Sequence, residues 1–312
     1  MAGDARATAF VTGAAGFIGT ELVKLLVARG HHVFGLAPSL DAAERVRRSG
    51  GVPIIGDLRE PGGWQDEVEA DWVFHLPPHW ARGGRVTFRR AESFARARVA
   101  MDAHLLDAAA RTTLRIVYVA DTSCYGAPGQ RAITEDQPPR PSAWGRCLTP
   151  ALDCVDGYVV AGLPIVTALT GWVYGDGSWF RERVVDPVIA GRRVLQFGTT
   201  GAWVSAIHVQ DCARALIPLA EHGEPGGRYF LVDSQPIRLH EFARTFARLA
   251  SRRLRVWRVP GAATRFFLGP ILADYIQADA VFSNIRLRGI GFNFQHPTLE
   301  QGLAQVVGLL HE

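Results

Sequence analysis

Glycines at positions 13, 16 and 19 follow a charge-free run, Ala7 to Val11, and lead into an amphipathic stretch from Phe17 to Arg29. No other feature restricts the fold of this chain as strongly. In Thr12-Gly13-Ala14-Ala15-Gly16-Phe17-Ile18-Gly19, Gly13 permits a tight turn and Gly16 lets backbone amides approach a pyrophosphate. Gly19 lets the helix press on the strand before it, and the helix start adds N–H groups and the positive end of its dipole. The segment therefore predicts a strand–turn–helix unit that holds a dinucleotide against Gly13, Ala15, Gly16, Phe17, Ile18 and Gly19.

The same rhythm continues. His32 to Leu36, Pro53 to Ile55, Trp72 to Leu76 and Leu114 to Ala120 are strand-like, with helical patterns over Asp41 to Ser49 and Val86 to Ala110. The strands are continuously apolar rather than alternating, so they are expected to be covered on both faces, as in a parallel sheet wrapped by helices. After a further buried strand, Ile165 to Thr170, the pattern loosens. Strand candidates Val194 to Phe197, Trp203 to Ile207, Tyr229 to Val232 and Leu254 to Val259 mix with helices Gln210 to Glu221 and Leu239 to Ser251. A last helix begins at Thr298, with Gln301 three residues on, and runs to Leu310. No repeat or linker intervenes. The reading is a dinucleotide-binding domain over residues 1–170 with a substrate lobe over 171–312 interwoven with it.

A length of 312 residues suits one large α/β domain with a smaller lobe. The net charge of +4 is scattered, and its tightest cluster, Arg252, Arg253, Arg255 and Arg258, reads as one strand edge, so no nucleic-acid partner is expected. Of 34 basic residues only Lys24 is a lysine, which excludes a catalytic lysine anywhere else; arginine does not deprotonate and cannot replace it. Cys124, Cys147, Cys154 and Cys212 form no C-x-x-C and have no histidine at ligand spacing, so no metal is expected. They read as reduced thiols of a cytoplasmic protein, and the first ten residues lack an apolar run of secretory length. Gly157 to Gly175 carries no charge, but Gly162 and Pro164 break it into helix end, turn and buried strand, so no membrane partner is expected.

The adenosine end is less familiar. After the second strand, Ala37-Pro38-Ser39 lacks the acidic residue that would hold the ribose hydroxyls of NAD(H). Ser39, with Arg45, Arg47 or Arg48, suits a 2′-phosphate instead. The residues lean toward NADP(H) and leave NAD(H) open.

With this turn in place the chain resembles the extended short-chain dehydrogenase/reductases, the NAD-dependent epimerase/dehydratase family. Gly56-Asp57-Leu58 resembles the family's adenine-contacting stretch, and Asp71-Trp72-Val73-Phe74-His75-Leu76 its fourth strand, followed by Pro77. Tyr125-Gly126, Gly171-Trp172-Val173-Tyr174-Gly175 and Trp203 to Asp211 fit later family blocks in order. The resemblance implies a Rossmann-type doubly wound parallel sheet with a smaller C-terminal α/β substrate lobe. It also implies cofactor contacts from Asp57, Leu58, Leu76 and Pro77, and association, where it occurs, as a homodimer through the long helix and the region after Trp144.

The family's chemistry rests on a Tyr-x-x-x-Lys pair and a nearby Ser or Thr, and here all three are replaced. Trp144 stands at the tyrosine place, Leu148 at the lysine place and Asp121 at the hydroxyl place. No tyrosine of the chain has a lysine four residues on, and an indole N–H donates but cannot act as a base. Thr149-Pro150 reads as an N-cap and first helical proline, which would start this helix late or kink it. Arg98 replaces the Asn usual in the long helix, and Pro77-Pro78-His79-Trp80 replaces an alanine pair.

Trp80, Trp144, Trp172 and Trp179, with Ser123, are therefore candidates to line a pocket for a hydrophobic or aromatic, polyketide-like small molecule. Asp121 is the leading acid/base candidate, because it closes the fifth strand at the sheet edge where such folds bind ligands. Its other reading is a cap on the turn that follows. Thr122 and Tyr125 share its loop, and His79 is the histidine suited to a proton relay, whereas His75 reads as a satisfied core residue. Three functions follow from these residues. The leading one is an enzyme of non-redox dehydration, isomerisation or cyclisation that retains its nucleotide without redox turnover. The alternatives are a ketoreductase or epimerase with an atypical proton donor, and a non-catalytic nucleotide-binding sensor or partner protein.

Overall fold

The computed structural model describes residues 6–78, 85–111, 113–126, 129–197 and 202–310. His79 and Trp80 lie outside the described residues. The first half alternates as expected: β1 (Thr8–Thr12), α1 (Phe17–Ala28), β2 (His32–Ala37), α2 (Leu40–Arg48), β3 (Val52–Ile55), β4 (Trp72–His75), α3 (Phe88–Ala109) and β5 (Arg115–Asp121). A short strand β6 (Gly129–Ile133), the helix α4 (Ala143–Val160) and β7 (Ile165–Thr170) follow. The strand β8 (Trp172–Tyr174) leads into α5 (Ser178–Phe180), a π-turn and α6 (Asp186–Ile189). Next come β9 (Arg193–Phe197), β10 (Trp203–Val204), β11 (Ala206–His208), α7 (Val209–His222), β12 (Arg228–Leu231), β13 (Ile237–Arg238) and α8 (Glu241–Leu249). The chain closes with β14 (Arg255–Val259), α9 (Gly261–Leu268), α10 (Pro270–Gln277), β15 (Ala280–Phe282), α11 (Ile285–Gly289) and α12 (Leu299–Gly308).

Seven parallel strands form the main sheet in the order β12-β7-β5-β4-β1-β2-β3. Strand order reverses between β1 and β4, and in such sheets the crevice at the carboxyl ends on either side of that reversal is where ligands bind. One apolar layer, with Leu22, Leu26, Leu216 and Leu219, fills the space between the sheet and α1 and α7. The other, with Met101, Leu105, Leu152 and Val155, lies under α3 and α4. Every residue from Ile116 to Asp121 is buried, which accounts for the unbroken apolar run of β5. A third cluster around Phe180, Phe242 and Phe246 is the core of the later lobe.

Local chemistry sets several boundaries. Ser39 Oγ accepts from the Ala42 amide and starts α2, and Thr298 Oγ1 accepts from the Gln301 amide and starts α12. The stretch Gly157 to Gly175 divides into the end of α4, a turn with Gly162 at φ 96° and the buried strand β7. No helix among the described residues is long and apolar enough to cross a membrane.

Two expectations are corrected. The stretch Trp203 to Ile207 is not one strand: the chain breaks at Ser205 into β10 and β11, which belong to different small sheets. The Ser205 carbonyl accepts from the Trp172 amide, and its hydroxyl accepts from the Phe282 amide, so the break ties three segments together. Nor does α4 begin at Pro150. Ser142 caps it by accepting from the Gly145 amide at 3.1 Å, and the helix runs through Pro150 to Val160. Packing of the helix outweighs the hydrogen bond that proline cannot give, while the Thr149 hydroxyl donates to the Gly145 carbonyl.

Candidate active site

The Gly13–Gly19 turn opens at the carboxyl end of β1, at the strand-order reversal. Gly13 has φ 65°, and a Cβ there would lie 2.2 Å from the Leu76 carbonyl oxygen. A Cβ on Gly19 would lie 2.1 Å from the Gly13 carbonyl oxygen, and one on Gly16 would lie 3.0 Å from it. The three glycines therefore let β1, the start of α1 and the end of β4 approach to backbone contact, leaving a cradle that side chains would fill. Around it, Ala15 is half-buried, Ile18 packs on the core, and the Phe17 ring meets the Gly175–Gly177 loop of the lobe. The Leu76 amide donates to Thr12 Oγ1, and Leu76 and Pro77 are buried beside the turn. These groups suit the pyrophosphate of a dinucleotide.

On the adenosine side the three arginines separate. Arg47 and Arg48 pair with Glu44 on the outer face of α2, whereas Arg45 Nε donates to the Ala15 carbonyl at 3.3 Å and so reaches the glycine turn. Asp57 is held by Arg59, whose Nε donates to it at 2.9 Å, and this bond keeps its carboxyl below the ordinary range. Leu58 is buried, and its carbonyl faces His104 Nδ1. Asp57 also borders a cleft of about 590 Å³ between β3 and Trp64.

Asp121 ends β5 with 7% of its surface exposed. Its Oδ1 accepts from the Ser123 amide at 2.7 Å, and its Oδ2 accepts from the Trp144 indole at 3.0 Å. Asp121 and Trp144, which the resemblance puts at the family's hydroxyl and tyrosine places, are thus bonded to one another. Trp144 is only 1% exposed, and it packs with Leu148, Val86 and Ile271 and against Phe94, ring centroids 5.6 Å apart. The turn Thr122–Tyr125 after Asp121 is buried, and the Ser123 hydroxyl has no hydrogen-bond partner among the described residues. Tyr125 points its chemistry elsewhere: its hydroxyl donates to the Glu135 carbonyl at 3.2 Å and its ring packs on Phe230.

Of the tryptophans, Trp172 and Trp179 touch edge to face at 5.2 Å, and the Trp179 indole donates to the Val173 carbonyl. Trp172 stacks at 5.2 Å on Tyr275 of α10, and Tyr275 also packs on the cluster that contains Trp144. Tyr275 therefore joins the two tryptophan groups. Burial, and then the charge of Asp121, pushes its phenol well above the ordinary tyrosine range, so it remains protonated.

Tyr275 was not singled out from the sequence. The nearby signal was an Ile271/Tyr275 spacing on one helix face, and only the return of the chain brings that face to Asp121. Gly145 was missed as well: a Cβ there would lie 2.1 Å from the Ser123 carbonyl oxygen, so glycine is what lets α4 dock on the Asp121 turn.

Arg98 belongs to a buried polar network. It is buried, and its Nε donates to both Asp102 oxygens at 2.9 and 3.1 Å while its Nη2 donates to the Tyr118 hydroxyl at 2.7 Å. His75 completes this network between Thr12 Oγ1 and Asp102, and burial lowers its pKa. No group of residues able to hold a metal occurs among the described residues.

A model of the NAD dependent epimerase/dehydratase family matches residues 9–231. The chain is 27% identical over 266 residues to a 4-hydroxy-2-methyl-3-oxo-4-farnesyl-3,4-dihydroquinoline-1-oxide ketoreductase of Stigmatella aurantiaca, covering 82% of this chain and 77% of that protein. It is 28% identical over 277 residues to a 3 beta-hydroxysteroid dehydrogenase/Delta 5-->4-isomerase of Mycobacterium tuberculosis, covering 83% and 73%. In fold it is similar to the dTDP-glucose 4,6-dehydratase of Streptomyces venezuelae, crystallised with NAD, at TM-score 0.80, 20% identity and 97% coverage of both chains. The UDP-glucose 4-epimerase of Thermus thermophilus, in complex with NAD, gives TM-score 0.79 at 22% identity, covering 97% and 99%.

Proposed function

The chain belongs to the NAD-dependent epimerase/dehydratase family, and from that premise we propose that it binds a nicotinamide dinucleotide and performs acid/base chemistry on a hydrophobic, ring-bearing small molecule. The reaction class is dehydration, isomerisation or cyclisation, with Asp121 as the acid/base. The observation that carries this reading is the bond between Asp121 and Trp144. A carboxylate at the end of β5 replaces the family's hydroxyl, and its partner is a donor that cannot itself take a proton. Each Asp121 oxygen accepts one N–H and retains a second lone pair, so the carboxylate can still receive a proton from a substrate.

Family membership and the glycine cradle support NAD(P) as the cofactor. When bound, a nicotinamide supplies a hydride donor or acceptor. Gly13, Ala15, Gly16, Phe17, Ile18, Gly19, Leu76 and Pro77 would hold the pyrophosphate side, and Asp57 and Leu58 the adenine side. Ser39 and Arg45 would favour a 2′-phosphate, and hence NADP(H). Residues 1–170 would then carry the nucleotide and 171–312 the substrate, with Trp172, Trp179 and Ser123 against it. A hydrophobic ring system fits the aromatic wall and agrees with the substrates named for the two relatives above.

A second reading is favoured by one contact. Tyr275, stacked on Trp172 and kept protonated, could donate a proton to a substrate oxygen, which suits the reductase and dehydrogenase names of those relatives. The test is incubation with NADPH or NADH and a panel of steroid and quinolone compounds, read by mass spectrometry and nicotinamide absorbance. A product of unchanged mass, or one lighter by a water, with no net nicotinamide oxidation and no turnover by Asp121→Asn, supports the proposal. Reduction coupled one-to-one to NADPH oxidation refutes it in favour of the second reading. Nucleotide binding without turnover of any compound leaves a binding protein.

A further inference from the structure

The lobe carries an exposed face whose composition differs from the rest of the chain. From residue 242 to residue 273 there are seven arginines and no carboxylate, while the whole chain has a net charge of +4. Among the described residues Arg252, Arg253, Arg255 and Arg265 enter no ion pair, and all four are exposed. Interleaved with them are three exposed aromatic groups, Trp257 at 59%, Phe266 at 65% and Phe267 at 59%.

The strands explain why these groups are exposed. Parallel pairing sets Trp257 beside Leu195 and Arg255 beside Arg193, and alternation puts these four on one face while Val194 of the other face is buried in the lobe core. α9 follows directly after Pro260, anchored by Thr264, whose hydroxyl donates to the Pro260 carbonyl at 3.1 Å. It buries little else, so Phe266 and Phe267 meet each other edge to face at 5.4 Å in the open. Arg85 lies over the Phe266 ring at 5.4 Å.

The geometry points to this β14–α9 face as a docking site for the surface of an anionic lipid membrane. Aromatic side chains gain by leaving water for the headgroup boundary, while the arginines meet lipid phosphates. Charge argues against a second copy as occupant, since a twofold interface would set this arginine-rich face against itself. The proposal departs from the expectation of no membrane partner, which weighed only a spanning segment and not a surface contact.

The same face leads to the candidate active site. After Phe267 the chain turns at Gly269, with φ 84°, into α10, which carries Ile271 against Trp144 and Tyr275 against Trp172. A docked β14–α9 face would set this helix between lipid and pocket, a route for an apolar substrate. That route rests on the proposed function; the docking itself does not.

The test is co-sedimentation of the full chain with phosphatidylcholine vesicles, with and without phosphatidylglycerol, at low and high salt. Binding is expected only to the anionic vesicles and is expected to weaken with salt. Each arginine near the surface contributes about fivefold, so Arg252→Glu, Arg253→Glu and Arg255→Glu together should lower the partition coefficient at least about 100-fold. Phe266→Ser with Phe267→Ser should lower it at least about tenfold. All five side chains are exposed, and circular dichroism and nucleotide binding would verify that the variants fold. The proposal is overturned if the native chain shows no preference for anionic vesicles or if either variant binds undiminished. It is equally overturned if the phenylalanine variant turns a self-associating protein into a monomer. Oligonucleotide binding as tight as vesicle binding, lost in the arginine variant, would assign the face to nucleic acid. Vesicle binding with no turnover of any compound would leave the docking standing and remove the proposed chemistry.

Discussion

Replacing either partner of the Asp121–Trp144 hydrogen bond tests whether these two residues, which the resemblance puts at the family's catalytic places, form one unit. In Asp121→Asn the side-chain amide can present its oxygen to only one of the two N–H donors that Asp121 now serves, Ser123 and Trp144. The other is left facing an NH2 group in a buried site, a cost of about 2 kcal/mol. In Trp144→Phe the carboxylate loses a donor, again about 2 kcal/mol. The smaller ring also loses packing against Phe94 and Ile271, about 1 kcal/mol more. The double variant has no carboxylate to leave unpaired, so it should lose about 3 kcal/mol rather than the roughly 5 kcal/mol of the summed singles. Urea unfolding of all four proteins, followed by circular dichroism at neutral pH, measures the cycle. Additivity within about 0.5 kcal/mol would show that the bond is energetically idle. Turnover supplies a second readout. Asp121→Asn should abolish it, whereas Trp144→Phe should lower kcat and spare KM, since the indole only orients the carboxylate. Full activity in Asp121→Asn would refute the acid/base role whatever the stability data show.

Three further outcomes are expected. Gly145→Ala drives a Cβ toward the Ser123 carbonyl, 2.1 Å away, and should destabilise the chain by about 2–3 kcal/mol in urea unfolding; a loss below about 0.5 kcal/mol would mean that α4 shifts freely. Arg45→Ala should weaken NADPH binding at least about tenfold by calorimetry with NADH unaffected, and equal effects on both would remove the 2′-phosphate role. Stability should decline between pH 6.5 and 8. Burial raises the Asp233 carboxyl to about 8, so the folded chain holds a proton there that the unfolded chain has lost, and stability falls as pH rises. His208 works in the opposite sense: burial lowers it to about 4, so its contribution is complete above 6.5 and is lost as pH falls toward 4. Asp233→Asn should flatten the decline above 6.5, worth about 2 kcal/mol, and an unchanged slope in unfolding experiments would refute it.

The first five strands, their helices and the nucleotide turn were legible because they are local, although β3 at the sheet edge leaves Val52 and Ile55 exposed rather than covered on both faces. A strand covered on both faces must be apolar throughout, a helix must bury one stripe, and Gly13 and Gly19 mark approaches that no side chain permits. The absence of a Tyr-x-x-x-Lys pair was likewise complete in the residue order, since only one lysine exists. Where the chain makes short strands and contacts across long separations, the sequence was a poorer guide. It ran β10 and β11 together and had Pro150 start α4 late or kink it, because the bonds that decide those points come from Trp172, Phe282 and Ser142.

The candidate site divides along the same line. Asp121, Trp144 and Leu148 could be named from position, and what replaces what is a matter of order along the chain. That Asp121 and Trp144 are bonded, that Gly145 makes room for the contact and that Tyr275 stands beside both depends on groups up to 154 residues apart meeting in space. Hydrogen bonds and close packing are set by distances of a few ångströms, and residue order carries that information only where the partners share one turn of helix or one strand.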